Sequence, residues 1–288
     1  MTRASQKTGS RSSLSVTTLT AAHLSQALTL SQALDWPYRQ EDWQFALELG
    51  HGIAVEIHGR LCATALWWPY EDAFASCGMI IVSPPLQHQG IGRLLMEELL
   101  RQMQGRTIIL CSTREGHRLY ERMGFLSYGL VSQHQGMLAV ALPKTPADGV
   151  RLFHAADLNS VYQLDRRACG MGRARLLEAL LARGSVVVME RSGIISGYAC
   201  IRRWGRGAVI GPVVAGGRAD AKALIEAHLA SQVGNFVRID VPETSGLSPW
   251  LTEAGLSCVD QVTSMVKGDR LRIAADAALF ALCSQSLG

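Results

Sequence analysis

The sequence predicts an α/β (α+β) fold written twice, and three observations carry that reading. Helical and strand-like segments alternate along the whole chain, the pattern of sheets flanked by helices. A turn-rich stretch at 143–149, Pro-Lys-Thr-Pro-Ala-Asp-Gly, interrupts the alternation, and the same order of elements then restarts. The 288 residues are 48% hydrophobic and 18% charged. At about 150 residues per domain that is enough for two units, each burying its own core, and too apolar for whole-chain disorder.

Each element has a local reason. Residues 1–13 carry Arg3, Lys7 and Arg11 without an acid or an apolar segment, so a disordered lead is expected rather than a secretory signal. Apolar spacing predicts helices over 20–34 and 41–49. Strands over 52–57 and 61–68 flank His58-Gly59-Arg60, a hairpin signal. A strand is expected over 73–82 and an amphipathic helix over 90–103, with apolar residues at 91, 94, 95, 99 and 103. A strand over 106–111, a short helix over 116–123 and strands over 126–131 and 136–142 are expected to close a first domain spanning 14–142. Residues 143–149 read as a linker to a second domain, 150–288. That domain opens with helices over 156–165 and 173–181, then strands over 184–190 and 194–201 about Arg191-Ser192-Gly193.

The two halves keep step. Gly193 follows Gly59 by 134 residues, and Ala199 follows Ala65 by the same interval. Ala254-Gly255-Leu256 answers Met123-Gly124-Phe125 at an offset of 131. A near-constant offset across several elements marks an internal duplication.

Composition excludes several classes of function. The formal net charge is +4, yet residues 14–149 hold nine basic and twelve acidic residues, and 150–288 hold sixteen and twelve. No basic run interleaved with aromatics forms a nucleic-acid stripe, so a nucleic-acid partner is not expected. No apolar run approaches the ~18–20 residues of a membrane-spanning helix, so no membrane partner is expected. The seven cysteines are odd in number and lack CxxC spacing. They read as buried hydrophobes in a reducing cytoplasm, and the scattered histidines give no metal site.

The stretch that carries chemistry is Gln87-His88-Gln89-Gly90-Ile91-Gly92-Arg93, between the strand ending at Val82 and an amphipathic helix. Glycines let the backbone turn tightly and approach a ligand closely. The unpaired N–H groups of the helix start, with the positive end of the dipole behind them, then form a cradle for an anion such as a diphosphate.

With Leu119-Tyr-Glu-Arg-Met-Gly-Phe125 about 30 residues downstream, the chain resembles the GCN5-related N-acetyltransferase (GNAT) superfamily over roughly residues 14–142. Gln87-x-x-Gly90-x-Gly92 is similar to that family's Q/R-x-x-G-x-G/A acyl-CoA pyrophosphate loop, and 119–125 to its LYxxxGF segment. The resemblance implies two tandem GNAT-like domains, each a mixed twisted sheet flanked by helices, with acetyl-CoA as acetyl donor. It implies fourth and fifth strands, 73–82 and 106–111, that splay apart to admit the pantetheine arm beside Ile81 and Val82. It further implies backbone contacts from Gln87, His88, Gln89, Gly90, Ile91, Gly92 and Arg93 to the diphosphate. Thr113 stands where relatives often carry Asn and is a further candidate contact. Tyr120 would be the acid that protonates the departing thiolate.

The second copy lacks these groups. Aligning 223–225 with 93–95 puts Asp220 and Lys222 in place of Gly90 and Gly92, and the 131 offset puts Leu251 in place of Tyr120. A carboxylate would repel a diphosphate, so a degenerate C-terminal copy covering the acceptor site is expected. For the acceptor, Trp36, Glu41 and Asp42 combine aromatic and acidic groups suited to a small cation, with Glu71 and Asp72 as a second acidic pair. Asp165, Trp204, Asp240 and Glu243 of the second copy could wall the site. The expected activity is N-acetylation of a primary amine on a small cationic molecule by direct transfer. An aminoglycoside such as kasugamycin is one example, which would confer antibiotic resistance. A non-catalytic acyl-CoA sensor and a protein or peptide N-acetyltransferase are the alternatives. Oligomeric state, acyl-chain preference and general base are left open.

Overall fold

The computed structural model describes residues 14–139, 147–269 and 271–288. The expected lead over 1–13 and most of the linker lie outside these. Of the first half, β1 (Leu14–Thr18), α1 (Leu24–Gln32), α2 (Gln40–Leu49), β2 (His51–Ile57), β3 (Arg60–Tyr70) and β4 (Phe74–Val82) come first. Then follow α3 (Ile91–Gln102), β5 (Thr107–Ser112), α4 (His117–Arg122) and β6 (Leu126–Met137). The second half repeats the order with β7 (Val150–Leu152), α5 (Leu158–Cys169), α6 (Ala174–Arg183), β8 (Gly184–Arg191), β9 (Ile194–Trp204) and β10 (Gly207–Ala215). It continues with α7 (Arg218–Leu229), β11 (Phe236–Pro242), α8 (Ser248–Glu253), β12 (Ser257–Lys267) and one added strand, β13 (Ala278–Ala281).

All the strands join one twisted sheet in the order β1-β2-β3-β4-β5-β12-β6-β11-β10-β9-β8-β7, with β13 beside β10. Neighbours are antiparallel except β4–β5 and β10–β11. The order is symmetric about the central β12–β6 pair, as a duplicated chain with a pseudo-twofold axis requires.

That centre corrects one expectation. Residues 126–131 and 136–139 do not close the first unit as two strands, and 140–142 lie outside the described residues. Residues 126–137 form the single strand β6, which pairs with β11 and β12, while β12 of the second half pairs with β5. The first half thus lends β6 to the second, and the second lends β12 to the first. The exchange covers the edges of β5 and β11, whose exposed N–H and C=O groups would otherwise invite pairing with another chain.

Helices α3 and α4 pack on one face of the first half around Leu95, Met96, Leu99 and Phe125. In the second half, α7 packs on its face through Leu224, Ile225 and Leu229. On the opposite face α1, α2, α5 and α6 share one core, in which Trp43 and Trp68 are continuous with Val161, Leu164 and Tyr198. Cys62, Cys77, Cys169, Cys200 and Cys283 are buried and Cys258 is exposed; all seven cysteines are free thiols. No helix among the described residues is long and apolar enough to cross a membrane.

Candidate active site

Strands β4 and β5 pair over three positions, Phe74–Thr107, Ala75–Ile108 and Ser76–Ile109, and the pairing stops there. The rest of β4, Cys77 to Val82, keeps β3 as its partner but faces a gap on the β5 side. A bulge reinforces the divergence. Thr64 pairs with Ile81 and Leu66 with Gly78, and Met79 within the bulge takes φ 50, a left-handed value uncommon for a non-glycine residue. The Thr64 hydroxyl holds it by donating to the Met79 carbonyl at 3.0 Å. Ile81 is fully buried, so only its main chain is available to a ligand, whereas Val82 lies half-buried at the gap's end.

Eight residues separate Val82 from α3. Pro84–Leu86 form a 3₁₀ turn, His88 takes φ 61, and Gly90 caps the helix at φ 87. The first helical bond runs from the Leu94 N–H to the Gly90 carbonyl, and no side chain caps the helix start. The amides of Ile91, Gly92 and Arg93 therefore open outward at the positive end of a twelve-residue helix. A Cβ at Gly90 would meet no atom within 4 Å, so the protein leaves this space open. Loop side chains turn away from it: Gln87 donates to the Val82 carbonyl at 3.2 Å and Gln89 to the Pro85 carbonyl at 3.0 Å. Arg93 reaches along the helix to Glu97 at 2.7 Å, and His88 is exposed. The cradle is main chain.

Tyr120 lies on α4 with its ring edge-on to Phe125, centroids 6.0 Å apart. Burial pushes its phenol well above the ordinary tyrosine range, and the Cys77 thiol nearby acts in the same direction. Among the described residues its hydroxyl has no hydrogen-bond partner, so a protonated donor stands uncommitted in an apolar crevice. The Thr113 hydroxyl instead accepts the Gly116 N–H at 3.4 Å, at the start of α4.

The second half has the same frame without the gap. β10 and β11 pair over Ala208–Val237, Val209–Arg238 and Ile210–Ile239. Beyond that point β13 takes the free side of β10, through Val213–Ala281, Val214–Leu279 and Ala215–Ala278. Only Gly216 and Gly217 separate β10 from α7. Asp220 and Lys222 therefore occupy no cradle, which corrects the expected substitution of Gly90 and Gly92. Asp220 pairs with Arg191 at 2.6 Å, and the Lys222 ammonium lies 5.2 Å from the Trp250 ring centre. The other correspondence is exact to the residue. Phe125 N–H bonds the Tyr120 carbonyl at 3.0 Å, and Leu256 N–H bonds the Leu251 carbonyl at 2.9 Å.

On the face carrying α1 and α2, residues 282–288 lie across the mouth of the β4–β5 gap. Tyr70 donates to the Leu287 carbonyl at 2.6 Å, and Arg173 to the Gly288 carbonyl at 2.7 Å. A Cβ at Gly78 would lie 2.6 Å from Ser286 Oγ. Desolvation raises the half-buried Tyr38 phenol above its usual range, partly offset by Arg238 and by Ser286. Gln285 bridges Gln133 and Asp240 at 3.3 and 3.4 Å.

The acceptor candidates divide sharply. Trp36 packs on Tyr38, Tyr38 on Trp204, and the Arg238 guanidinium lies 4.8 Å from the Trp204 ring centre. Three acids expected at the acceptor are committed elsewhere, and each is a correction. Asp165 is sealed at 0% exposure against Arg173 at 2.7 Å, with Tyr198 donating to it. Asp240 is equally sealed and held by Arg238 at 2.9 Å. Asp42 takes the Arg39 guanidinium and the Gly205 N–H at 2.9 Å, tying α2 to the end of β9. A buried carboxylate needs such partners, and arginine supplies them in all three cases. Glu41, Glu71, Asp72 and Glu243 are exposed, and Glu71 pairs with Arg166 at 3.0 Å. Among the described residues no group of three or more His, Cys, Asp or Glu could hold a metal ion.

Residues 20–125 match the acetyltransferase (GNAT) family, and residues 161–281 match an acetyltransferase (GNAT) domain. The chain belongs to the GNAT acetyltransferase family. It is a tandem GNAT protein, and as such an enzyme of the acyltransferase class. Over 271 residues it is 26% identical to the N-acetyltransferase YitH of Bacillus subtilis, uncharacterised, covering 92% of this chain and 95% of that one. It is 28% identical to a holothin acyltransferase of Pseudoalteromonas sp. over 60% of this chain and 59% of the relative. The fold matches a putative acetyltransferase of Pyrococcus horikoshii over the whole of both chains, at a TM-score of 0.82 and 20% identity. A tandem GNAT protein from the clavulanic acid biosynthesis pathway aligns at a TM-score of 0.61 and 18% identity, over 89% and 99%.

Of the residues along the wall over the β4–β5 gap, the sequence did not single out Gln133, Gln285 or Ser286, and Tyr70 read as strand packing. Tyr38 lies inside the aromatic and acidic stretch at 35–43, which was the available signal. Nothing local marks residues 285–286.

Proposed function

We propose that this tandem GNAT protein acetylates a primary amine of a small cationic molecule, using acetyl-CoA bound in the first domain. The observation that carries this reading is the β4–β5 gap, open beside an uncapped helix start in the first domain, while β13 fills its counterpart in the second. The domains on this reading are 14–142, catalytic, and 150–288, a degenerate copy whose last residues wall the acceptor.

Acetyl-CoA supplies the activated thioester. The residues fit it: the amides of 88–93 would bind its diphosphate, and the free edge of β4 from Cys77 to Val82 would hold the pantetheine arm. N–H groups of that edge would stabilise the oxyanion as the amine adds. Tyr120 would give its proton to the departing sulfur, which a phenol kept neutral by burial can do. Asp165 and Asp240 are held by arginines, so the ammonium proton leaves through water rather than to either carboxylate. The roof of residues 285–288 favours a compact acceptor over a protein chain.

The test is thiol release from acetyl-CoA over a panel of aminoglycosides including kasugamycin, polyamines, amino acids and lysine peptides. Turnover with a small amine and none with peptides is expected. CoA binding without turnover of any amine would favour a sensor, and turnover with peptides alone would overturn the acceptor class.

A further inference from the structure

A separate cleft opens where α2 of the first half meets α6 and β9 of the second. The cleft encloses about 300 Å³ and is lined chiefly by Arg39, Arg183, Arg202 and Arg203, with Glu41 and Phe45. That volume is at the small end of the range for ligand pockets.

The charges in the cleft are unevenly matched. Arg39 is paired by Asp42 at 2.7 Å, and Arg183 by Glu48. Arg203 and Glu41, both exposed, form no ion pair among the described residues. Arg202 is only 6% exposed and has no carboxylate partner there. One of its nitrogens donates to the Cys283 carbonyl at 3.1 Å, and its face rests on Phe45, 5.4 Å from the ring centre. Its Nε is the one buried side-chain nitrogen or oxygen among the described residues without a hydrogen-bond partner. Such a group is rare in folded proteins and calls for a partner, most of all on a permanently charged guanidinium.

We propose that this cleft binds a small oxyanion, a phosphate or a carboxylate. It would accept from Arg203 and from the Arg202 guanidinium, whose buried Nε would turn toward the cleft, and sit over the Arg183–Phe45 stack, with Glu41 at the rim limiting its charge. A fork of guanidinium donors suits two oxygens on one centre. The anion would clamp α2 to β9, adding to the bond between Asp42 and Gly205. The inference is independent of the acetyl-transfer reading.

The experiment is calorimetric titration of the full chain with inorganic phosphate, and separately with citrate, at constant ionic strength and with CoA in excess. Excess CoA keeps phosphate off the α3 cradle. Saturable binding of one anion per chain with a Kd below about 1 mM is expected, weakened at least about tenfold, or 1.4 kcal/mol, in Arg202→Lys. Arg203→Ala, an exposed change that leaves folding intact, should weaken it severalfold and decides the matter if Arg202→Lys does not fold. Phosphate alone binding, or citrate alone, identifies the class of oxyanion. No saturable heat at 10 mM of either anion overturns the proposal, as does undiminished binding in Arg203→Ala together with any folded Arg202→Lys. Heat that appears only when CoA is left out places the phosphate on α3 and equally overturns it.

Discussion

Tyr70 and Leu287 meet through a hydrogen bond of 2.6 Å although 217 residues separate them. The bond joins the end of β3 to the segment lying over the β4–β5 gap, so a strand of the first half and the last residues of the second build one wall. Its neighbour contact is the near approach of Ser286 to Gly78. Gly78→Val should displace that segment, because the new side chain needs the space that Ser286 fills. A KM increase for the amine of about tenfold or more, clearly larger than any change in KM for acetyl-CoA, is expected if uniform acceptor binding is what is lost. Steady-state kinetics on both substrates checks it, and equal changes in both KM values would place the segment outside the acceptor side.

Tyr120→Phe keeps the ring against Phe125 and removes a hydroxyl that no described residue binds. Unfolding free energy should change by less than about 1 kcal/mol, the scale of one ordinary hydrogen bond. Turnover should fall by about 10²–10⁴, the range for general acid–base catalysis. Urea denaturation alongside thiol release separates the two, and turnover close to wild type would make Tyr120 a packing residue.

One CoA should bind per chain, since β13 holds the second slot. Gly90→Asp should remove that binding, because φ 87 strains any side chain there and a carboxylate opposes a diphosphate. Calorimetry giving two sites, or an unchanged affinity in the variant, would contradict the assignment.

Asp165 and Arg173 form a fully sealed pair, and removing one partner leaves the other charge uncompensated. Asp165→Asn should destabilise the fold by about 3–5 kcal/mol, the usual cost of breaking a buried pair. The pair spans α5 and the start of α6, and Arg173 also reaches Gly288, so the loss should extend to the wall over the gap. Chemical denaturation measures the first effect and the KM of the amine the second.

Asp157 supplies a pH test. The Arg151 guanidinium beside it lowers its carboxyl to about 2, with further help from the His154 N–H. A folded-state value below the unfolded one means the contribution is complete above about pH 4 and lost as pH falls through about 2. Comparing urea midpoints at pH 5 and pH 2.5, wild type should lose more stability than Asp157→Asn.

The hairpins, the duplication, the glycine loop and the aromatic turn before Phe125 were legible because each rests on near neighbours in the chain. Turn chemistry and apolar period are local, and the Tyr120–Leu251 correspondence carried through to matching hydrogen bonds. The open helix start after Gly90 was legible for the same reason: its main-chain geometry depends on seven consecutive residues.

The acids read differently. Asp42, Asp165 and Asp240 looked like ligands for a cation because a carboxylate has no visible partner in one dimension. Folding brings Arg39, Arg173 and Arg238 against them, and Asp165 meets Arg173 across a helix boundary that spacing alone does not orient. The strand exchange was likewise invisible, since β6 has the same pattern whether it pairs with β5 or with β11. Sequence alone determined the two-fold repetition, the helix start at Gly90 and the absence of a tyrosine at 251, all set by local conformation. Only the tertiary structure decided that β12 and β6 change places, that β13 fills the second slot and that residues 285–288 roof the first. Those outcomes depend on which distant edges are left free once every strand has found its neighbour.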